Sequence, residues 1–135
     1  MNNYTNILRE HHLKATPQRL EIANTLDAYG HINIDKLYEL MLKKFNSISL
    51  ATIYKNINIM LENSFIQEVK IPHEKSVYEL CKDTHSHLVC HNCGEIEDIS
   101  LDLAPISNAA STYSHFKIDK ADLVLSGVCQ KCQKL

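Results

Sequence analysis

The chain has 135 residues, 44% of them hydrophobic and 22% charged, with only three Gly and three Pro. That composition belongs to an ordered protein of one or two small domains and excludes a disordered tail. No apolar run approaches the roughly 18 residues that span a membrane, and Met1 to Asn6 are polar, so a cytoplasmic protein with no membrane partner is expected. The formal net charge of −2 lacks the basic excess usual in nucleic-acid-binding domains. Residues 1–70 carry eight Lys/Arg against seven Asp/Glu and residues 71–135 six against nine, so the second half is acidic and suits a cation.

The first half reads as helices. A first helix ends near His11 and His12, which are expected to face solvent. Thr16-Pro17 is a helix start, with Leu20, Ile22, Ala23, Leu26 and Tyr29 as its apolar stripe and Gly30 as its stop. A second periodic run covers 34–42, with Leu37, Leu40 and Met41 on one face. Ser49 caps a third, from Leu50 to about Glu62, with Ile53, Ile57, Met60 and Leu61 on its apolar face and Thr52, Tyr54, Lys55 and Asn56 largely away from it. The short link around Asn46-Ser47-Ile48 makes the last two a helix-turn-helix. Residues 65–71 then alternate as a strand, 72–75 turn, with His73 facing solvent, and 76–80 return as a second strand, which completes a winged helix over 1–80. The polar stretch that follows is a hinge, 81–86, and Cys81 within it is either a partly buried spare cysteine or a reactive thiol.

Residues 87–135 read as a small α/β domain: strands at 88–90, 96–99 and in the run 116–128, and a short helix around 104–112. Some 50 residues bury too little apolar surface to be stable without a staple. Cys90-x-x-Cys93 and Cys129-x-x-Cys132, 35 residues apart, supply one. Four thiolates match a structural zinc site with no open position, and five cysteines without a secretion signal argue for reduced thiols rather than disulfides. Pairing with a second copy would add burial, so a homodimer is expected.

Chemistry must then come from nitrogen and oxygen ligands. His85 and His87 are two apart, so on an extended segment both project to one side, and Asp98 lies five residues past Cys93 on the next strand. With His31 and Glu79 they make three imidazoles and two carboxylates, a set suited to iron(II), manganese(II) or zinc. On residue types alone His31 also reads as a capping or surface histidine, His91 as solvent-facing, and His115 stays ambiguous.

The segments LKATPQRLEIANTL (13–26) and SLATIYKNINIMLENSFI (49–66), the run His85-x-His87-x-x-Cys90-x-x-Cys93-Gly94 and the closing GVCQKC (127–132) together resemble the ferric uptake regulator family. The resemblance spans nearly the whole chain. It implies a dimeric, metal-dependent transcription regulator, usually a repressor, of α+β fold: an N-terminal winged helix-turn-helix domain followed by a zinc-stapled α/β dimerisation domain. It assigns structural zinc to Cys90, Cys93, Cys129 and Cys132, and regulatory iron(II) or manganese(II) to His31, Glu79, His85, His87 and Asp98. It also implies double-stranded DNA with a palindromic operator as partner, with Tyr54 and Lys55 facing the major groove and Lys14 and Arg19 near the backbone or minor groove.

Within the family, Asp98 resembles the peroxide-responsive branch, where iron-sensing members typically have Glu. That branch implies repression of peroxide-stress genes, relieved by iron-dependent oxidation of a ligand histidine, here His31 or His85. An additional metal site of many iron-sensing members falls on Pro105 and Ala121 and is expected to be missing. Glu79, standing where peroxide regulators commonly have Asp, points the other way, to an iron-responsive repressor of iron uptake. A metal-dependent enzyme is the remote alternative, since five protein ligands leave at most one position for substrate and no catalytic residue is nominated.

Overall fold

Side-chain caps set where the helices of the first half begin. In the computed structural model, which describes residues 3–134, Asn3 caps α1 (Tyr4–Glu10), Thr16 caps α2 (Pro17–Tyr29), Asn33 caps α3 (Ile34–Leu42) and Ser49 caps α4 (Leu50–Glu62). Each cap oxygen accepts a backbone N–H of the first turn that would otherwise lack a partner. Pro17 opens α2, where its missing N–H costs nothing, and Gly30 closes it at φ 76, a conformation that strains a side-chain-bearing residue.

These helices bury one face each. Leu8, Ile22, Leu26, Leu37, Met41, Ile53, Ile57 and Met60 are fully buried and pack with Phe65 and Ile66. Each such side chain contributes about 1.5–3 kcal/mol, so this half is held by its own core. One polar residue departs from the expected pattern. Asn56 of α4 is buried rather than turned outward, because Arg19 of α2 donates Nε to its Oδ1 at 3.1 Å. His11 also differs: it is half-buried, edge-on to Phe65 at 5.5 Å.

A three-stranded antiparallel sheet of order β1-β3-β2 completes the winged helix, with β1 (Ile32–Asn33), β2 (Ile66–Val69) and β3 (Val77–Leu80). The two-residue β1 has no periodicity to betray it and is visible only through its pairing with β3. The chain divides into two compact units, one running to Lys82 and the other beginning at Asp83.

The second unit contains β4 (Ser86–Cys90), β5 (Ile96–Ile99), α5 (Ala104–Ser114), β6 (Val124–Gly127) and α6 (Gln130–Gln133). Its sheet order is β5-β4-β6, with β5 antiparallel and β6 parallel to β4. A parallel pair needs a crossover, and α5 lies in that connection. The strand expected throughout 116–128 is only β6. Register explains the shortfall: Val124 pairs with His87 and Gly127 with Cys90, and the Leu123 carbonyl still accepts from the His87 N–H at 3.1 Å, but residues before Leu123 run past the start of β4. Among the described residues from Asp83 onward, those buried are Ser86, His87, Val89 and Cys90, all on β4. That is too little apolar burial to hold a unit of this size.

Candidate metal centre

What the second unit lacks in core it has in sulfur. Cys90 ends β4, Cys93 lies in the turn that Gly94 closes at φ 80, Cys129 is the N-cap of α6 and Cys132 lies within α6. The Sγ atoms of Cys90 and Cys132 are 3.8 Å apart, as are those of Cys93 and Cys129, and all four sulfurs lie within 4.8 Å of one another. Four sulfurs about 2.3 Å from a common zinc at tetrahedral angles stand about 3.8 Å apart, so the set fits structural zinc.

Backbone geometry prepares the site electrostatically. The N–H groups of Cys129 and Cys93 donate to Cys90 Sγ at 3.3 and 3.4 Å. Those donors, that of Cys129 first, hold the Cys90 thiol down to about 6. At Cys132 a hydrogen bond with Asn92 acts downward, but Cys129, lost solvation and the other thiols outweigh it and push the value up to about 11. Cys90 is therefore ready as a thiolate, whereas Cys132 is held as a thiol until a cation is beside it. Zinc bound this way is worth about 10–16 kcal/mol in apparent terms, far above the about 1.5–3 kcal/mol from burying a side chain such as Val89.

In the first unit, His31 follows the helix-closing Gly30 and Glu79 sits on the central strand β3, 1% exposed. His31 Nε2 lies 2.9 Å from Glu79 Oε2. Two ligand atoms about 2.1 Å from one cation and at right angles stand about 3.0 Å apart. Burying a carboxylate is costly unless it is paired, and the other oxygen, Oε1, accepts from Gln67 Nε2 at 2.6 Å.

In the second unit, β4, the residue just before it and β5 bring three candidate ligand residues together. His87 is directly opposite Asp98 in the ladder, with His87 Nε2 3.5 Å and His85 Nε2 3.7 Å from Asp98 Oδ1. The two imidazole centroids are 4.5 Å apart. His85 Nδ1 lies 2.8 Å from the Asp83 carbonyl, which can only accept, so in the neutral ring the proton sits on Nδ1 and Nε2 keeps its lone pair for a metal ion. The donors are nitrogen and oxygen throughout, as iron(II) and manganese(II) prefer.

Tyr54 and Lys55 lie on the exposed face of α4, Tyr54 being 41% exposed. Lys14 is exposed ahead of α2. Arg19 is half-buried, donating Nη1 to the Lys14 carbonyl at 3.0 Å as well as Nε to Asn56. Gln67 was not visible in the sequence as part of a site; only the strand register that sets it against Glu79 could have found it.

A winged helix followed by a zinc-stapled sheet with a histidine–aspartate cluster defines a class of metal-dependent regulator. The chain belongs to the ferric uptake regulator family, whose model matches residues 10–126. It is 31% identical over 129 residues to the peroxide operon regulator of Bacillus subtilis, covering 94% of this chain and 89% of that one. Among solved structures, the Campylobacter jejuni peroxide stress regulator is 34% identical with a TM-score of 0.72, covering 97% of this chain and all of that one. The Vibrio cholerae ferric uptake regulator is 28% identical with a TM-score of 0.75, covering 94% of this chain and all of that one. None of the described helices is long and apolar enough to cross a membrane.

Proposed function

We propose that this chain is a dimeric, metal-dependent repressor of peroxide-stress genes, acting in the cytoplasm on palindromic DNA and released by oxidation of a ligand histidine. The observation that carries the reading is Asp98, directly across from His87 with both histidine Nε2 atoms turned toward its Oδ1. An aspartate here resembles the peroxide-responsive branch, and the relatives named for peroxide at 31% and 34% identity support it.

In this reading the winged-helix domain is 1–80, the hinge 81–86 and the dimerisation domain 87–135. Structural zinc sits on Cys90, Cys93, Cys129 and Cys132. One regulatory iron(II) or manganese(II) takes His31, Glu79, His85, His87 and Asp98. Ligands drawn from both sides of the hinge make DNA affinity depend on the cation, which favours whichever arrangement brings all five to it. Tyr54 and Lys55 read the major groove, while Lys14 and Arg19 contact the backbone or minor groove. Tyr113 and Phe116, 89% and 70% exposed, belong to the apolar surface a second copy would cover, and a twofold dimer calls for a palindromic operator. Iron(II) held by these residues would activate peroxide as the oxidant: overall the imidazole of His31 or His85 would lose two electrons and gain one oxygen at a ring carbon, and the other peroxide oxygen would leave as water.

Gel retardation of a palindromic promoter fragment tests this. Retardation is expected with either manganese(II) or iron(II), and release by peroxide only in the iron form. A complex that forms with iron(II) and ignores peroxide would instead support the second reading, an iron-responsive repressor, which Glu79 favours because peroxide regulators commonly have aspartate at that place.

A further inference from the structure

Gln67 on β2 and Glu79 on β3 are directly opposed in the antiparallel ladder, so their side chains lie on one face of the winged-helix sheet. A carboxylate only accepts hydrogen bonds, so the amide must turn Nε2 to Glu79, where it donates to Oε1 at 2.6 Å. Its oxygen then faces the other way, toward Cys81, whose Sγ donates to Oε1 of Gln67 at 3.9 Å. The amide is held from both ends. Glu79 consequently uses its two oxygens differently, Oε1 for Gln67 and Oε2 toward His31 Nε2 at 2.9 Å.

We infer that Gln67 is a positioning residue for the regulatory cation: by holding Oε1 it confines Glu79 to coordination through Oε2, beside His31. The inference rests on the assignment of His31 and Glu79 as ligands proposed above. A carboxylate limited to one oxygen keeps a five-residue ligand set at five donor atoms and leaves a sixth position for a small molecule. A released carboxylate can swing or present both oxygens. Partners that orient a ligand in this way are typically worth about 10–100-fold in metal affinity.

The test compares manganese(II) affinity, by competition with a chelating dye, in the zinc-loaded full chain and four variants. Gln67→Met keeps the length without a donor, and Gln67→Glu keeps the size with acceptors only. Glu79→Ala and Gln67→Met/Glu79→Ala complete the cycle. Both Gln67 variants are expected to weaken manganese(II) by about 10–100-fold while zinc content and the thermal midpoint stay at wild-type values. In the Glu79→Ala background, adding Gln67→Met should change affinity by less than about twofold, because the residue it positions is gone. The visible absorption of the cobalt(II)-loaded protein should lose intensity in the Gln67 variants as a sixth donor enters.

Weakened binding in Glu79→Ala together with unchanged affinity in both Gln67 variants would overturn the inference alone. Unchanged affinity in Glu79→Ala would overturn the ligand assignment and the inference with it. Equal losses from Gln67→Met with and without Glu79 would show a general structural role and also overturn it. Should Gln67→Met fold poorly, Gln67→Glu decides the outcome by itself.

Discussion

Arg19 of α2 donates Nε to Asn56 Oδ1 of α4 at 3.1 Å, and Asn56 in turn donates Nδ2 to the Thr52 carbonyl at 3.1 Å. This charge-assisted contact ties the helix that carries Tyr54 and Lys55 to its neighbour. Because Asn56 is buried, Asn56→Ala leaves Arg19 short of a partner and is expected to destabilise the protein by about 1–3 kcal/mol. Arg19→Lys should recover only part of the wild-type stability, since an ammonium cannot make the two divergent bonds of the guanidinium. Urea denaturation of the zinc-loaded protein measures both.

On the exposed face of α4 the prediction concerns DNA. Tyr54→Ala is expected to cost about 1–3 kcal/mol of discrimination for the preferred palindrome. Lys14→Ala, ahead of α2, should instead flatten the salt dependence, lowering the log–log slope by about 1. Fluorescence anisotropy across a salt series separates the two, and neither substitution should alter manganese(II) binding.

Asp98 faces His85 and His87 but lies apart from the sulfur cluster. Asp98→Ala should therefore lose regulatory metal by at least the about 10–100-fold that even an outer partner's removal costs. Zinc content and dimer mass should stay as in the wild type. Metal competition and light scattering on one preparation check both halves of this expectation.

Zinc removal should act on one unit only. The first unit has its own core, whereas among the described residues from Asp83 onward only residues of β4 are buried. A strong chelator is expected to abolish amide protection in β4–β6 while α2–α4 remain protected, as hydrogen exchange can show.

The same cluster fixes a pH dependence. Cys90 is held at about 6 against an ordinary 9.0, chiefly by the N–H of Cys129 and then that of Cys93. A lowered folded value means that the stabilisation of this thiolate is complete above the ordinary value, declines as pH falls, and is gone below about 6. Zinc affinity should therefore weaken as the pH falls, because sulfurs that are thiols in the free chain must give up their protons to bind the ion. Zinc binding that does not change with pH would contradict ligation by these four thiolates.

Much of this was legible in the chain, for reasons that differ by element. Thr16-Pro17, Ser49 and the apolar spacing of 34–42 are local signals, and the helices they mark begin and end where those signals place them. The cysteines carry their own geometry in their spacing. Asn56 was misread because nothing local reveals that a residue 37 positions earlier satisfies its amide. The run before Val124 was misread because alternation signals a strand only where a partner strand exists to pair with it. Glu79 was nominated through the family resemblance, but Gln67 is an ordinary polar residue until the β2–β3 register sets it against Glu79.

The most direct test of the account is peptide mass spectrometry after the protein is loaded with iron(II) or manganese(II) and treated with peroxide. Gain of one oxygen on His31 or His85 is expected in the iron form alone, in parallel with loss of DNA binding. Unmodified histidines in the iron form, with DNA binding retained, would contradict it.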